Sequence, residues 1–515
     1  MNLIQRPLYR MVATDEEVIF AVQDITIVAT KIRVKYIAEV YVSDHSGNPF
    51  SQGRIATLKT IPNDTGTGIF DFSRVLEAYV GPDYLGGKTY SSGTPPTQHY
   101  TQSNGIDYSD TQPHTIHEID KHSLNRNACR IFGIKFYIEY AEAIGEPLQN
   151  TSNSPLLSDT FYIHNAVRQE DDVLAIDGRN GFFGYNYAYN DYVLNEAGYS
   201  GDTVGKFLTN APTTQYIGDN DFHTIAYFNQ SDEAETLAQG SGSMFGLEIG
   251  GGTATKRLVK QILITFYYNG VQTGATIDYT NAASNGSVHW QTGSPKAIIQ
   301  YTGVGTGNIN NCTNNGVPAL WDYYTVEAKN DDVSIQRISL LYYFYRQEVC
   351  KGFEKFRLTW LNRLGVWDYF NFTKKNVRKV NSKRSTYQQI KGSWNESRYI
   401  KHGYKGGKKV FSTNSKQVVT LQTDFITEEA AEWLEELFTS PEVFVLQERS
   451  ETQTESGAGG GCGGLYPYRR NIINKYVQPC NITTSSYTRK TTANDKLKQY
   501  TLEIEMSHNK RIQKA

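Results

Sequence analysis

Cysteine is scarce. The 515-residue chain has five, Cys129, Cys312, Cys350, Cys462 and Cys480, far apart and with no CxxC pair. That spacing and odd number argue against a disulfide framework or a zinc ribbon. Free thiols made in a reducing cytoplasm are expected instead. Long apolar runs are also missing. Met1 to Arg10 has no apolar core of the kind a signal peptide carries, and Val18–Thr30 is interrupted by Gln23 and Asp24. No stretch approaches the roughly 20 apolar residues of a membrane span, so the expectation is a soluble protein without a membrane segment.

The common catalytic signatures are absent too. Gly250-Gly-Gly-Thr-Ala-Thr-Lys256 lacks the spacing of a phosphate loop, and Gly303, Gly305 and Gly307 do not make a dinucleotide fingerprint. There is no GxSxG and no kinase set. His114, His117 and His122 lie near Glu118 and Asp120 without the HExxH spacing, and read as solvated surface. Glu170, Asp171, Asp172, Asp331 and Asp332 read as turn residues. No catalytic, cofactor or metal site is expected, and the chain is read as a non-enzyme.

What is abundant is aromatic. The chain holds 36 Tyr and 23 Phe against 4 Met. Tyrosine in such numbers suits half-exposed strands and protein surfaces, where the ring is buried and the hydroxyl stays wet. At 39% hydrophobic and 20% charged the chain can bury ordinary cores. Alternating apolar residues then mark strands. Ile32, Val34, Tyr36, Ala38, Val40 and Val42 make one, and Phe132, Ile134, Phe136, Ile138 and Tyr140 another. Ile262, Ile264, Phe266 and Tyr268 end at Asn269-Gly270, a hairpin signal.

The fold class expected is mainly β, with three β-sandwich-like domains at 1–168, 169–345 and 346–515. The first carries a long loop excursion at about 86–127. In the second, Tyr185, Tyr187, Tyr189 and Tyr192 crowd a Gly/Asn-rich opening, and 303–315 reads as loop. The third opens on Phe356–Phe372, whose aromatics alternate as in a half-buried hairpin, with Gly365 closing the loop at positive φ. It continues through a basic arm at 373–409, a helix at 428–439 and a Gly-rich loop at 456–464. Thr427 is placed to cap the helix, and Ala430, Trp433, Leu434, Leu437 and Phe438 share its apolar face.

Charge is unevenly spread. Residues 351–420 hold 17 Lys and Arg against three acids, Glu354, Asp368 and Glu396, in a chain whose net charge is −2. The remainder is therefore strongly acidic. Within it, 424–451 carries nine acids and one Arg. A basic arm beside an acidic face suggests two complementary surfaces on one chain, as a head-to-tail contact requires. The candidate interface pairs Lys374, Lys375, Arg378, Lys379, Lys383 and Arg384 with Glu428, Glu429, Glu432, Glu435 and Glu436. Lysines with interleaved Tyr387, Trp394, Tyr399 and Tyr404 also fit single-stranded nucleic acid, as the lesser reading.

The hairpin, the Thr427-Glu-Glu-Ala-Ala-Glu-Trp-Leu-Glu-Glu-Leu-Phe438 helix and the closing strand at Lys498–Ser507 resemble virion proteins of tailed bacteriophages. The strand–helix–strand layout after residue 400 is similar to the tail-tube and distal-tail family. The resemblance covers about the last third of the chain, and the rest resembles phage structural proteins only loosely. It implies a tail-tube-like β-sandwich with one packed helix, in a structural component of a tail, tail tip or baseplate. It also implies a ring of identical subunits, a hexamer first and a trimer next, touching other tail proteins in the virion. The alternative is a receptor- or glycan-binding tail protein, with Tyr185–Tyr192 as the first place for sugars to stack.

Overall fold

A computed structural model describes residues 1–43, 48–85, 115–119, 122–125, 127–168, 174–177, 184–187, 189–194, 204–229, 235–237, 240–242, 259–280, 298–310, 316–330, 336–347, 353–446, 477–484, 498–508 and 510–511. The chain is mainly β, as its alternating patterns require, with several sheets and few, short helices. It divides into two compact units. One takes in Met1–Gln347 and Leu361–Asp368; the other takes in Glu348–Trp360, Tyr369–Ser450 and Asn471–Ala515.

Two apolar cores of the first unit lie among the described residues. The first core lies between residues 3 and 163 and is dominated by Phe20, Phe70, Phe72, Phe132, Phe136 and Phe161. Its main sheet rests on the strands Ile32–Ser43 and Cys129–Ala141, paired antiparallel. Their alternation sends Tyr36, Ala38 and Val40 inward with Phe132, Ile134 and Phe136. The early apolar run folds as a strand, Ile19–Gln23, and then a six-residue helix, Ile25–Thr30. Asp24, which interrupts the run in sequence, caps that helix by accepting from the Ile27 N–H at 3.1 Å. A second short helix, Ser73–Glu77, follows, and the Asp71 carboxylate accepts from the Ser73 N–H at 2.9 Å.

The second core runs from Leu194 to Phe344. Its five-stranded sheet orders Thr214–Ile217, Tyr342–Arg346, Tyr323–Asn330, Val259–Tyr268 and Val271–Thr280 side by side. The hairpin joining the last two turns through Asn269 at φ 50° and Gly270 at φ 76°, the left-handed pair that a two-residue turn demands.

The two regions read as separate domains, 1–168 and 169–345, lie within this one unit, because backbone pairing crosses between them. His122–Leu124 pairs with Ile299–Gly303, and the Tyr301 hydroxyl donates to Asp83 at 2.9 Å. The end of the expected excursion at 86–127 is thereby ordered as a 3-10 turn, Ile116–Glu118, and a strand. Likewise 303–315 is not all loop: Thr306–Asn310 is a short helix.

In the second unit one sheet orders Trp367–Phe372, Phe356–Leu361, Val443–Leu446, Val477–Ile482, Thr501–Met506, Gly407–Gln422 and Val377–Gln389. The helix Glu428–Thr439 packs on it as expected, with Thr427 accepting from the Ala430 N–H at 3.3 Å. Its buried face is Ala431, Trp433, Leu434 and Leu437; Ala430 is only half-buried. Trp433 lies against Trp360, tilted by 44° with 5.1 Å between ring centroids. The hairpin strand Phe356–Leu361 is buried on both faces rather than one. Arg357 is taken inside because its guanidinium donates to Asn371 at 2.8 Å and lies over Tyr369.

Candidate functional site

The basic arm folds as a two-stranded antiparallel ribbon, Val377–Gln389 against Gly407–Gln422. At about 3.3 Å per residue the shorter strand runs about 40 Å. Among the described residues the ribbon joins the rest of the sheet at one end: Val418–Gln422 pairs with Thr501–Glu505, and Asn414 and Ser415 with Lys510 and Arg511. Val377–Gln389 is the edge strand, and Val377 to Gln388 are exposed without a break. From 377 to 422 the sole acid is Glu396.

The alternation of this ribbon does not separate core from solvent, since both of its faces are wet. Lys379 and Lys383 share one face with Lys416, and Arg378 and Arg384 point to the other. Apolar side chains are left out as well. Val380 is 57% exposed, Phe411 67%, Ile390 68%, Tyr404 71% and Trp394 73%. Trp394 and Tyr399 touch edge to face at 5.4 Å near the tip, where Ser393 bridges Ile400.

The predicted interface residues divide into two groups. Some are already engaged within the chain. Lys374 pairs with Asp424 at 2.7 Å, and that hydrogen bond holds the Asp424 carboxyl below its ordinary range. Arg378 pairs with Glu354 and covers Phe356, and Glu428 pairs with Lys498 at 3.2 Å. The Tyr500 hydroxyl donates to Glu435 at 3.4 Å, and Glu435 and Glu436 are half-buried. The second group faces solvent: Lys375, Lys379, Lys383 and Arg384 on the ribbon, Glu429 and Glu432 on the helix. The ribbon cations of this group form no ion pair among the described residues. Of the ribbon cations, Lys374 and Arg378 are engaged by Asp424 and Glu354, and neither of those acids belongs to the helix.

Other sequence candidates resolve differently. Tyr189 and Tyr192 are buried, the first stacked edge-on to Phe228 and under Arg168, the second donating to Asn210. They offer no face to a sugar; the side chains of Tyr185 and Tyr187 lie outside the described residues. His117 and His122 are buried too, contrary to the solvated reading. His122 sits between the Thr302 hydroxyl at 2.8 Å and the Tyr279 carbonyl at 2.9 Å. The cause is the strand pairing that draws 115–124 inward. His114, Gly250–Lys256, the five acids at 170–172 and 331–332, and the 456–464 loop lie outside the described residues, as do Cys312, Cys350 and Cys462. Cys129 and Cys480 are free and buried, and burial pushes the Cys480 thiol up to about 12.

Gly303, Gly305 and Gly307 are packing positions. A Cβ on Gly303 would meet the Ile119 carbonyl at 1.9 Å, and one on Gly305 the His223 N–H nitrogen at 2.4 Å. The Asn308 amide just after them donates to the carbonyls of His117 and Ile119. Among the described residues no group of His, Cys, Asp and Glu is placed to hold a metal ion, and no helix is long and apolar enough to cross a membrane.

Sequence reasoning missed a row of tyrosines on the outer face of the five-stranded sheet, contributed by Tyr216, Tyr345, Tyr323 and Tyr267. The Tyr323-Tyr324 and Tyr342-Tyr343-Phe344-Tyr345 runs carried its only signal: aromatics at consecutive strand positions must appear on both faces. No family model matches this chain, and no curated protein matches it either.

Proposed function

We propose that this chain is a non-enzymatic structural component of a bacteriophage tail or tail tip, which assembles into a ring through its basic ribbon. One observation carries the reading: the ribbon's unshielded length. An isolated two-stranded ribbon is marginal in water, and this one exposes Trp394, Tyr404, Phe411 and Ile390 by about two thirds or more. Lysines alone would serve to protect a sheet edge from aggregation, but large exposed aromatics work against that end. A partner surface that covers them serves both.

The exposed acids of the helix supply the complementary charge, and their sequence setting resembles the tail-tube and distal-tail family. Exposed ion pairs contribute only about 0–1 kcal/mol each. Charge would therefore orient the encounter, and the aromatics of the ribbon would supply most of the affinity.

The test is oligomeric state. Wild-type protein in low salt should form a closed ring, read by light scattering and negative-stain images. Reversing Lys375, Lys379, Lys383 and Arg384 to Glu should leave a folded monomer. These four are chosen because Lys374 and Arg378 already pair within the chain. Adding Lys at Glu429 and Glu432 of that variant should restore part of the assembly. Assembly of the charge-reversed protein at the wild-type rate would refute the ribbon as the interface.

A further inference from the structure

The tyrosine row belongs to the first unit and the ribbon to the second, and the assembly reading makes no use of the row. In strand register Tyr216 faces Tyr345, Tyr345 faces Tyr323, Tyr323 faces Tyr267, and Tyr267 faces Gln272. One straight line thus crosses all five strands. The line beside it holds Thr214, Tyr343, Thr325 and Thr265, with Thr276 at 3.3 Å from Thr265. The opposite face of the same sheet is filled by Phe344, Tyr324 and Phe266 in the core. The outer tyrosines are therefore not needed to close that core.

Ring geometry grades along the row. Tyr267 and Tyr323 stack face to face, 4.9 Å apart and 10° from parallel, so they present edges and hydroxyls outward. Tyr345 tilts by 34° against Tyr323, and Tyr216 by 42° against Tyr345 at 6.2 Å. Tyr345 is 37% exposed and Tyr216 62%. Tyr216 sits on the edge strand, and among the described residues no further strand pairs beyond it. Cross-strand stacking accounts for the inner pair, but it does not account for an aromatic so exposed at the end of the line.

Charge identifies the class of ligand. Neither line contains an ionised side chain. Of the charges around them, Arg346 is paired with Asp219 at 2.8 Å and Glu327 with Lys329 at 3.4 Å, and the exposed Asp278 on the next line accepts from the Gln261 amide at 2.9 Å. Along these two lines a nucleic acid or an anionic polymer meets no cation among the described residues. A neutral polyhydroxylated chain finds ring faces for its C–H surfaces and a rank of hydroxyls and one amide for its own hydroxyls. We propose that this sheet face binds a neutral polysaccharide, its sugar rings against Tyr216 and Tyr345 and its hydroxyls on Tyr323, Tyr267 and Gln272.

The test uses the full chain on a printed array of neutral and acidic glycans, then affinity electrophoresis in gels containing a neutral glycan that binds. Binding to at least one neutral glycan is expected. Tyr216→Ala and Tyr345→Ala should each weaken it about tenfold, the loss of one good contact, with near-ultraviolet circular dichroism unchanged. Tyr323→Phe tests the hydroxyl without removing the stack. The charge-reversed ribbon variant should keep the wild-type choice of glycans and the same loss on Tyr216→Ala, which separates this proposal from the assembly reading. No neutral glycan bound, binding of acidic glycans alone, or neutral binding untouched by the two Ala variants would each overturn it. So would a dimer that dissociates on Tyr216→Ala, which would make the face a self-contact.

Discussion

Trp433→Ala tests the packing of the one long helix in the second unit. Trp433 is 4% exposed, lies 5.1 Å from Trp360, and meets Phe370 at 6.1 Å. A tryptophan buries about 150–250 Å². At about 25 cal/mol per Å² that is about 4–6 kcal/mol of apolar burial. Large-to-small changes of this kind cost about 3–5 kcal/mol, the spread reflecting how far the site collapses. Trp360 is itself fully buried in a strand covered on both faces, so little collapse is open to it. A loss of about 4 kcal/mol is expected. Urea unfolding followed by tryptophan fluorescence and by far-ultraviolet circular dichroism gives the midpoint and slope. Phe425→Ala, at a side chain 63% exposed, is the matched control and should move the midpoint little. If Trp433→Ala unfolds at the wild-type midpoint with the wild-type slope, the helix does not pack through this face.

Two further outcomes follow from the first unit. Burial lowers the His164 imidazole to about 3, with Arg168 acting in the same direction, so the folded protein keeps it neutral. The unfolded chain takes up the proton near the ordinary histidine value of about 6.5. Stability should therefore be full above about pH 6.5 and fall as pH drops from there toward about 3; His164→Gln should flatten that slope in urea titrations across this range. Gly365 sits at φ 74°, and a Cβ there would lie 1.5 Å from the Asn165 carbonyl oxygen. Gly365→Ala should lower stability by at least about 1–3 kcal/mol in a thermal melt, whereas Gly270→Ala, at φ 76° in open space, should cost less.

The sequence by itself determined those features whose physics is local. Period-two alternation placed Ile32–Val42, Phe132–Tyr140 and Thr501–Met506 in strands, because a strand shows its pattern within a few residues. Asn269-Gly270 marked its turn by backbone conformation alone. Thr427 and the spacing of Trp433, Leu434 and Leu437 marked the helix and its buried side. The uneven charge needed only counting. Tertiary structure decided what depends on distant partners. Ala431 rather than Ala430 faces the sheet because a helix is turned by what it packs against. His117 and His122 went inside because strand His122–Leu124 found Ile299–Gly303, nearly 180 residues away. The basic arm became a ribbon with two wet faces because most of its length has no sheet beneath it. The tyrosine row is the clearest case. Its four rings come from strands near 216, 267, 323 and 345, and a one-residue slip in any register would turn that strand's tyrosine into the core. Periodicity shows that a strand has two faces; only pairing across long loops decides which residues share one.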